Sequence, residues 1–303
     1  MAKKQLNILF MSFSVIAFLF ISGILSCSDA VKPDVYSVKV GKVDVLSLQD
    51  AAFDMKAELV KNGDPDEIKR LMPEGKLPAS VNVFIIKTGS KNILVDTGIG
   101  NGKAGKGMML ESMKKAELSP EDISVVFITH AHFDHVGGLV NDGKPVFINA
   151  KLIFSNKEAD AISDAAIKKL PADVKSYFEP ANVAYKIYGK NTGTVKAGDM
   201  ISDGVKVVEL SGHTSGHAGL LIESQNEKLL MFGDLLHITG VQFQHPDYSL
   251  VYDSDIKKAA ERRNKTLDMA VSEKMFVAGV HIKFPGIGRV SKSGTGYTFL
   301  PVE

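Results

Sequence analysis

From Tyr36 the chain alternates apolar and polar positions, Tyr36-Ser37-Val38-Lys39-Val40, turns at Gly41-Lys42, and alternates again through Val43-Asp44-Val45-Leu46-Ser47-Leu48. A period of two on both sides of a short turn predicts a β-hairpin. A second hairpin is predicted from Val81–Lys87 and Asn92–Val95, and it runs into Asp96-Thr97-Gly98. Between the two, Asp64-Pro65-Asp66-Glu67 opens a short helix, with acids in the first turn where the helix dipole favours them. A glycine-rich loop over 98–107 leads to a helix around Met109–Ala116, and Ser119-Pro120-Glu121-Asp122 turns the chain into the buried strand Ile123–Ile128. Strands near Val146–Ile148 and Leu152–Phe154 and a helix over Lys157–Leu170 follow. In the second half Val205–Leu210 is a strand and Leu220–Glu223 with Lys228–Phe232 a hairpin. Asp255–Ser272 is the longest helix, and Met275–Val280 is the last buried strand.

Both halves therefore run strands then helix. That order predicts an α+β protein: an αββα sandwich of two mixed β-sheets face to face, with helices on the outer faces. Three of the apolar strands end in a residue able to bind a metal: His130, Asp234 and His281. A strand gives such a residue a rigid base, and its end is where a site opens to solvent.

Composition changes this picture at one end only. The 303 residues are 45 % hydrophobic and 23 % charged, as in ordinary globular chains. With 36 basic and 35 acidic residues there is no basic stripe for nucleic acid, which is excluded as a partner. The first residues differ: Met1–Gln5 is a basic head, Leu6–Leu25 an uncharged apolar run, and Ser26-Cys27-Ser28-Asp29 a break. That is the order of a secretory signal over residues 1–26, with an uncleaved membrane anchor as the alternative. Ile24-Leu25-Ser26-Cys27 resembles the lipobox of bacterial lipoproteins, in which the cysteine is lipidated. Cys27 is the only cysteine, so no internal disulfide competes for it. The expectation is an exported protein facing the periplasm or cell surface, with Cys27 lipidated and residues 27–35 a membrane tether. Residues 36–303 then form one domain, and the chain from residue 27 onward carries 34 basic and 35 acidic side chains once Lys3 and Lys4 are removed.

Of 8 histidines, three lie within Thr129-His130-Ala131-His132-Phe133-Asp134-His135. In an extended segment His130 and His132 point to the same side and can hold one divalent ion. Asp134 and His135, at the turn into Val136-Gly137-Gly138, can hold a second. The cluster is a metal site.

The set His130-x-His132-x-Asp134-His135, His213 in Gly212-His213-Thr214-Ser215-Gly216-His217, Asp234 in Phe232-Gly233-Asp234, and His281 after a strand resembles the metallo-β-lactamase fold superfamily. Gly279–Gly288, Asn82–Gly98 and Gly233-Asp234-Leu235-Leu236-His237 look like its methyl parathion hydrolase-like branch, with N-acyl homoserine lactonases as nearby relatives. The resemblance implies that His130, His132 and His213 hold one metal and Asp134, His135 and His281 the second. Asp234 would bridge them. Two divalent ions are expected, zinc suiting imidazole and carboxylate best, with manganese, iron or cobalt able to use the same set. Such a pair shares a hydroxide that attacks a carbonyl or phosphoryl centre. Asp134 is the expected proton acceptor.

Around this centre Asp96 is either a partner of a ligand histidine or a turn cap, and His217 a structural partner. His237 stands where lactonases usually carry a tyrosine that polarises the substrate, and is the second candidate catalytic residue. Phe243 and His245 are candidates for the pocket wall. The mature domain lacks the cysteine ligand of the commonest zinc β-lactamases, and it lacks the basic tail of glyoxalase-type thioesterases. The expected function is metal-dependent hydrolysis of an ester, lactone or phosphotriester in a small-molecule substrate. The alternatives are a quorum-quenching lactonase proper and a metal-stabilised binding protein without turnover. A homodimer is compatible with all of these.

Overall fold

The structure, a computed structural model, describes residues 34–302 apart from Ser90, Lys103 and Ala104. The expected signal segment and Cys27, and the tether up to residue 33, lie outside the described residues. Among the described residues no helix is long and apolar enough to cross a membrane.

Two seven-stranded sheets are laid down one after the other. The first takes its strands in chain order: β1 (Val35–Val40), β2 (Val43–Lys56), β3 (Lys76–Thr88), β4 (Lys91–Val95), β5 (Val125–Phe127), β6 (Lys151–Ser155) and β7 (Thr192–Val195). The second follows the same rule: β8 (Met200–Ser202), β9 (Val205–Glu209), β10 (Ala218–Ser224), β11 (Glu227–Met231), β12 (Phe276–Ala278), β13 (Ile287–Ser293) and β14 (Gly296–Pro301). Both sheets are mixed. Pairing is antiparallel from β1 to β4 and parallel from β4 to β7. In the second sheet only β11 and β12 run parallel.

The sheets face each other across one core cluster, to which Val45, Phe84, Ile86 and Phe127 come from one side and Val207, Leu220, Ile222 and Met231 from the other. The outer face of the first sheet is covered by α2 (Met109–Lys115) and α6 (Ala172–Tyr188), through Met109, Met113, Ala181, Ala184 and Tyr188. The outer face of the second is covered by α8 (Ile256–Ser272), which follows the four-residue α7 (Thr239–Gln242), through Leu267 and Ala270. The αββα sandwich is thus the observed architecture. Burial on both faces explains why Ala79–Ile86 of β3 is inaccessible throughout, as strands in the middle of layered α/β structures are. Helix starts follow local chemistry: α1 (Pro65–Leu71) has Pro65 at its first turn and Asp64 accepting from the Glu67 amide, and Asp255 accepts from the Lys258 amide at α8.

Several expectations are corrected. Val146–Ile148 is a bend and turn rather than a strand, although Phe147 is fully buried. The helix expected over Lys157–Leu170 is two short ones, α4 (Asn156–Ala161) and α5 (Asp164–Ile167). Ser163 accepts from the Ala166 amide and so caps a new start inside the expected span. The 17-residue α6 has no counterpart in the sequence expectations, and neither do β7, β13 and β14. Pro180 inside α6 masks its helical pattern, and the terminal strands carry glycine, lysine, serine and threonine rather than an apolar run.

Candidate metal centre

Four strands aim their C-terminal ends at one place. β4 and β5 are parallel neighbours in the first sheet, β11 and β12 in the second. They deliver Asp96, His130, Asp234 and His281 respectively. His132 caps the four-residue α3 (Phe133–Val136), whose first turn holds Asp134 and His135. His213 lies in the loop after β9, where Gly212 has φ +147° and a Cβ would stand 2.5 Å from the backbone of Ala259, so that only glycine lets this loop lie against α8. Gly233, at φ +53°, is under the same constraint, because a Cβ there would stand 2.6 Å from the His217 ring.

The seven expected ligands meet in two groups. His130 Nε2, His132 Nδ1 and His213 Nε2 form a triangle with sides of 3.0, 3.0 and 3.1 Å. In the second group Asp134 Oδ2 lies 3.7 Å from His135 Nε2 and 3.4 Å from His281 Nε2. Asp234 reaches both: Oδ1 is 3.3 Å from His135 Nε2, and Oδ2 is 3.2 Å from His281 Nε2 and 3.4 Å from His213 Nε2.

The far nitrogens fix the tautomers. His213 Nδ1 meets the carboxylate of Asp253 at 3.1 Å, and His135 Nδ1 that of Asp96 at 2.9 Å. His281 Nδ1 donates to the Ser80 carbonyl at 3.0 Å, and His130 Nδ1 lies 3.2 Å from Thr129 Oγ1, whose own hydrogen goes to Asp96. When these rings are neutral their Nε2 lone pairs all converge on the centre. Among the described residues, His135 Nε2 and Asp234 Oδ1 are buried there without a hydrogen-bond partner. Nitrogens on one tetrahedral ion at about 2.0–2.1 Å are roughly 3.3 Å apart, close to the triangle's sides. The donor set fits metal ions, with Asp96 and Asp253 as the groups that orient two of the imidazoles.

The charges differ between the groups. Burial, and then the neighbouring imidazoles, hold His130 and His132 well below the usual histidine range. Burial would also lower His281, but Asp234 and Asp134 outweigh it and push the ring up to about 10. For His135, burial is outweighed in the same way by Asp234, Asp96 and Asp134. Against its own burial, Asp134 is brought down to about 2 by His135 and His281.

His217 donates from Nδ1 to the Leu210 carbonyl and accepts the Asp234 amide at Nε2, so both its nitrogens are used in support of the loop. Asp96 adopts φ +62° and accepts from the Thr129 amide and hydroxyl as well as from His135. It is a ligand partner as well as a turn residue. His237 Nε2 is 3.0 Å from Asp234 Oδ2, its ring stacks on His281, and its Nδ1 is buried without a hydrogen-bond partner among the described residues.

Phe243 is not a pocket wall. It is 2 % exposed and stacks on Phe299 in the core between the second sheet and α8, because the C-terminal strands fold back over it. His245 is turned towards α1, bonded to Glu67 at 2.8 Å and stacked on Tyr248. The rings that do flank the centre are the half-buried Phe178 and Tyr177 beside His132, Tyr252 beside His237 and Phe53 beside His281. None was singled out from sequence, and neither were Asp253 and Arg263. The guanidinium of Arg263, fully buried, bonds the carbonyls of Leu235, Pro246 and Tyr248 and the Asp253 carboxylate. Its place in the α8 pattern, four residues after Ala259 and four before Leu267, was a usable signal: a charge in the middle of an apolar stripe.

The family model of the metallo-beta-lactamase superfamily matches residues 77–273. The N-acyl homoserine lactonase of Bacillus sp is 26 % identical over 219 residues, 66 % of this chain and 80 % of the relative. Among solved structures, that of AidC, a dizinc quorum-quenching lactonase in complex with its product N-hexanoyl-L-homoserine, superposes with a TM-score of 0.81 at 27 % identity, covering 89 % of this chain and 98 % of that one. The hydrolase AbOPH of the beta lactamase superfamily superposes with a TM-score of 0.83 at 29 % identity, covering 91 % and 99 %.

Proposed function

This chain belongs to the metallo-β-lactamase superfamily and is a metal-dependent hydrolase; from that premise we propose that its two donor groups hold a pair of zinc ions and that its substrate is a lactone, with simple esters and phosphotriesters as slower substrates. The observation that carries the paired site is Asp234, whose two oxygens lie within 3.2–3.4 Å of nitrogens from both groups. The lactone preference is supported by the lactonase relatives and by a product-bound lactonase of the same fold.

Bound there, divalent ions make water nucleophilic at neutral pH and stabilise negative charge on the attacked oxygen. The chain's own residues supply the rest. Asp134, ionised at neutral pH, accepts the proton of the attacking water and returns it to the alkoxide that leaves as the ring opens. His237 carries its proton on Nε2, which lies 3.0 Å from Asp234 Oδ2, and from there it donates to the substrate oxygen in the role that lactonases give to tyrosine. Asp96 and Asp253 keep the ligand rings in register. The test is metal content followed by turnover on an N-acyl homoserine lactone, an aryl ester and a phosphotriester. About two ions per chain with the lactone fastest is expected. Two ions without turnover on any of the three would favour a binding role instead.

We further propose that the protein is exported and anchored through lipidated Cys27, supported by the basic head and apolar run before it. Cys27→Ala should move the protein out of the membrane fraction, and retention there would defeat the anchor.

A further inference from the structure

The three-histidine group is drawn from both sheets, yet it contains no carboxylate of its own. Its two loops meet at Glu158, on the short α4 beneath them, a carboxylate with no exposed surface. Oε1 accepts from the amide of Ala131, the residue between His130 and His132, at 2.9 Å. Oε2 accepts from the hydroxyl of Thr214, the residue after His213, at 2.8 Å, and from the Gly216 amide at 3.1 Å. The fit is close, since a Cβ on Gly216 would stand 2.3 Å from the Glu158 amide. No lysine or arginine contact to this carboxylate is found among the described residues. Every bond is donated to it, as suits a carboxylate, while burial pushes its pKa above the usual range.

We propose that Glu158 is a positioning residue for the metal held by His130, His132 and His213: its buried carboxylate ties the two ligand loops together and fixes their spacing. This rests on the metal-site reading above and adds to it a residue that touches neither ion nor substrate. The isosteric Glu158→Gln separates the role from simple filling of space. A glutamine has one acceptor oxygen and one NH2 group, and the backbone amides of Ala131 and Gly216 lie on opposite oxygens. One backbone N–H must therefore face another donor, whichever way the amide turns.

The experiment is a competition titration of zinc against a chromophoric chelator on wild type, Glu158→Gln and Thr214→Val. It is paired with visible absorption of the cobalt forms and thermal unfolding of the metal-free proteins. Glu158→Gln is expected to weaken one ion by about 10–100-fold, the range for residues behind ligands, with the other ion unchanged. The cobalt spectrum should shift, and the metal-free protein should lose only the modest stability that one mispaired backbone N–H costs. Thr214→Val, which removes one of the three bonds, should weaken the same ion by less. Wild-type affinity for both ions in Glu158→Gln would overturn the proposal, as would equal weakening of both together with a lowered metal-free unfolding temperature. If Glu158→Gln does not fold, Thr214→Val decides: selective weakening supports the role and unchanged affinity overturns it. If the wild type takes up a single ion, the paired-site reading falls. Glu158→Gln must still weaken that ion if the proposal holds.

Discussion

The two donor groups sit side by side but are built on opposite electrostatic plans. His130, His132 and His213 form a tight triangle of nitrogens, in which burial holds His130 and His132 neutral, and the carboxylates of Asp253 and Glu158 stand behind the group. Asp134, His135 and His281 are spread more widely, with carboxylates inside the group and Asp96 behind it, so the imidazoles there are driven towards the protonated state. The first group presents lone pairs to an incoming cation. The second is balanced by its own protons and must exchange them for a metal. Asp234 belongs to both plans, which makes it the place where the contrast can be abolished.

Asp234→Ala should therefore have the largest effect, weakening both ions by more than roughly 100-fold, beyond what residues behind ligands cause, and removing nearly all turnover. Metal content by elemental analysis checks this, and retention of full activity would end the shared-ligand account. The next pair of variants separates the groups. Asp253→Asn should weaken the ion held by His213 by about 10–100-fold, and Asp96→Asn the ion held by His135 by a similar factor. Chelator titration distinguishes them, since each variant should lower one of two affinities and leave the other. Equal loss at both ions in either variant would show that the groups do not act separately.

The same contrast explains what the sequence could disclose. The cluster His130–His135 is legible because a strand, a turn and a helix start bring its members together within six residues. Asp234 and His281 are legible because each follows a buried strand, and parallel pairing then brings the strand ends together. The partners behind the ligands carry no such mark. Glu158 sits in a segment of alternating charge that looks solvated, and Asp253 in a turn of polar residues; both are buried only because distant loops close over them. Phe243 looked like a rim residue because Tyr297 and Phe299, which cover it, lie in strands whose sequence carries little apolar periodicity.

A smaller effect follows from the protons themselves. In the metal-free protein His281 has its pKa raised from 6.5 to about 10. Its contribution to stability is thus fully present below about pH 6.5 and lost as pH rises through about 10. Metal-free protein should unfold at a lower temperature at pH 10 than at pH 7. By the same reasoning, zinc entering the second group at pH 7 should release protons, whereas zinc entering the three-histidine group should release few. Indicator titration in weak buffer reads this directly. Proton release that accompanies the ion weakened by Asp253→Asn, rather than the one weakened by Asp96→Asn, would reverse the assignment of the two plans.

The smallest effects should come from the two residues that lie outside both groups. Phe243→Leu keeps an apolar side chain but loses the stacking on Phe299, a contact worth about 0.5–1.5 kcal/mol beyond burial. It should lower the unfolding midpoint modestly while both zinc affinities and the ranking of substrates stay unchanged. His245→Gln removes only a surface pairing with Glu67 and a stacking on Tyr248, and should leave unfolding and metal uptake unaltered. A changed substrate ranking in either variant, measured across lactones of increasing acyl length, would mean that the segment between Val241 and Pro246 reaches the substrate after all. In that event the aromatic residues beside the ligands, Tyr177, Phe178 and Tyr252, would not be the whole of the wall.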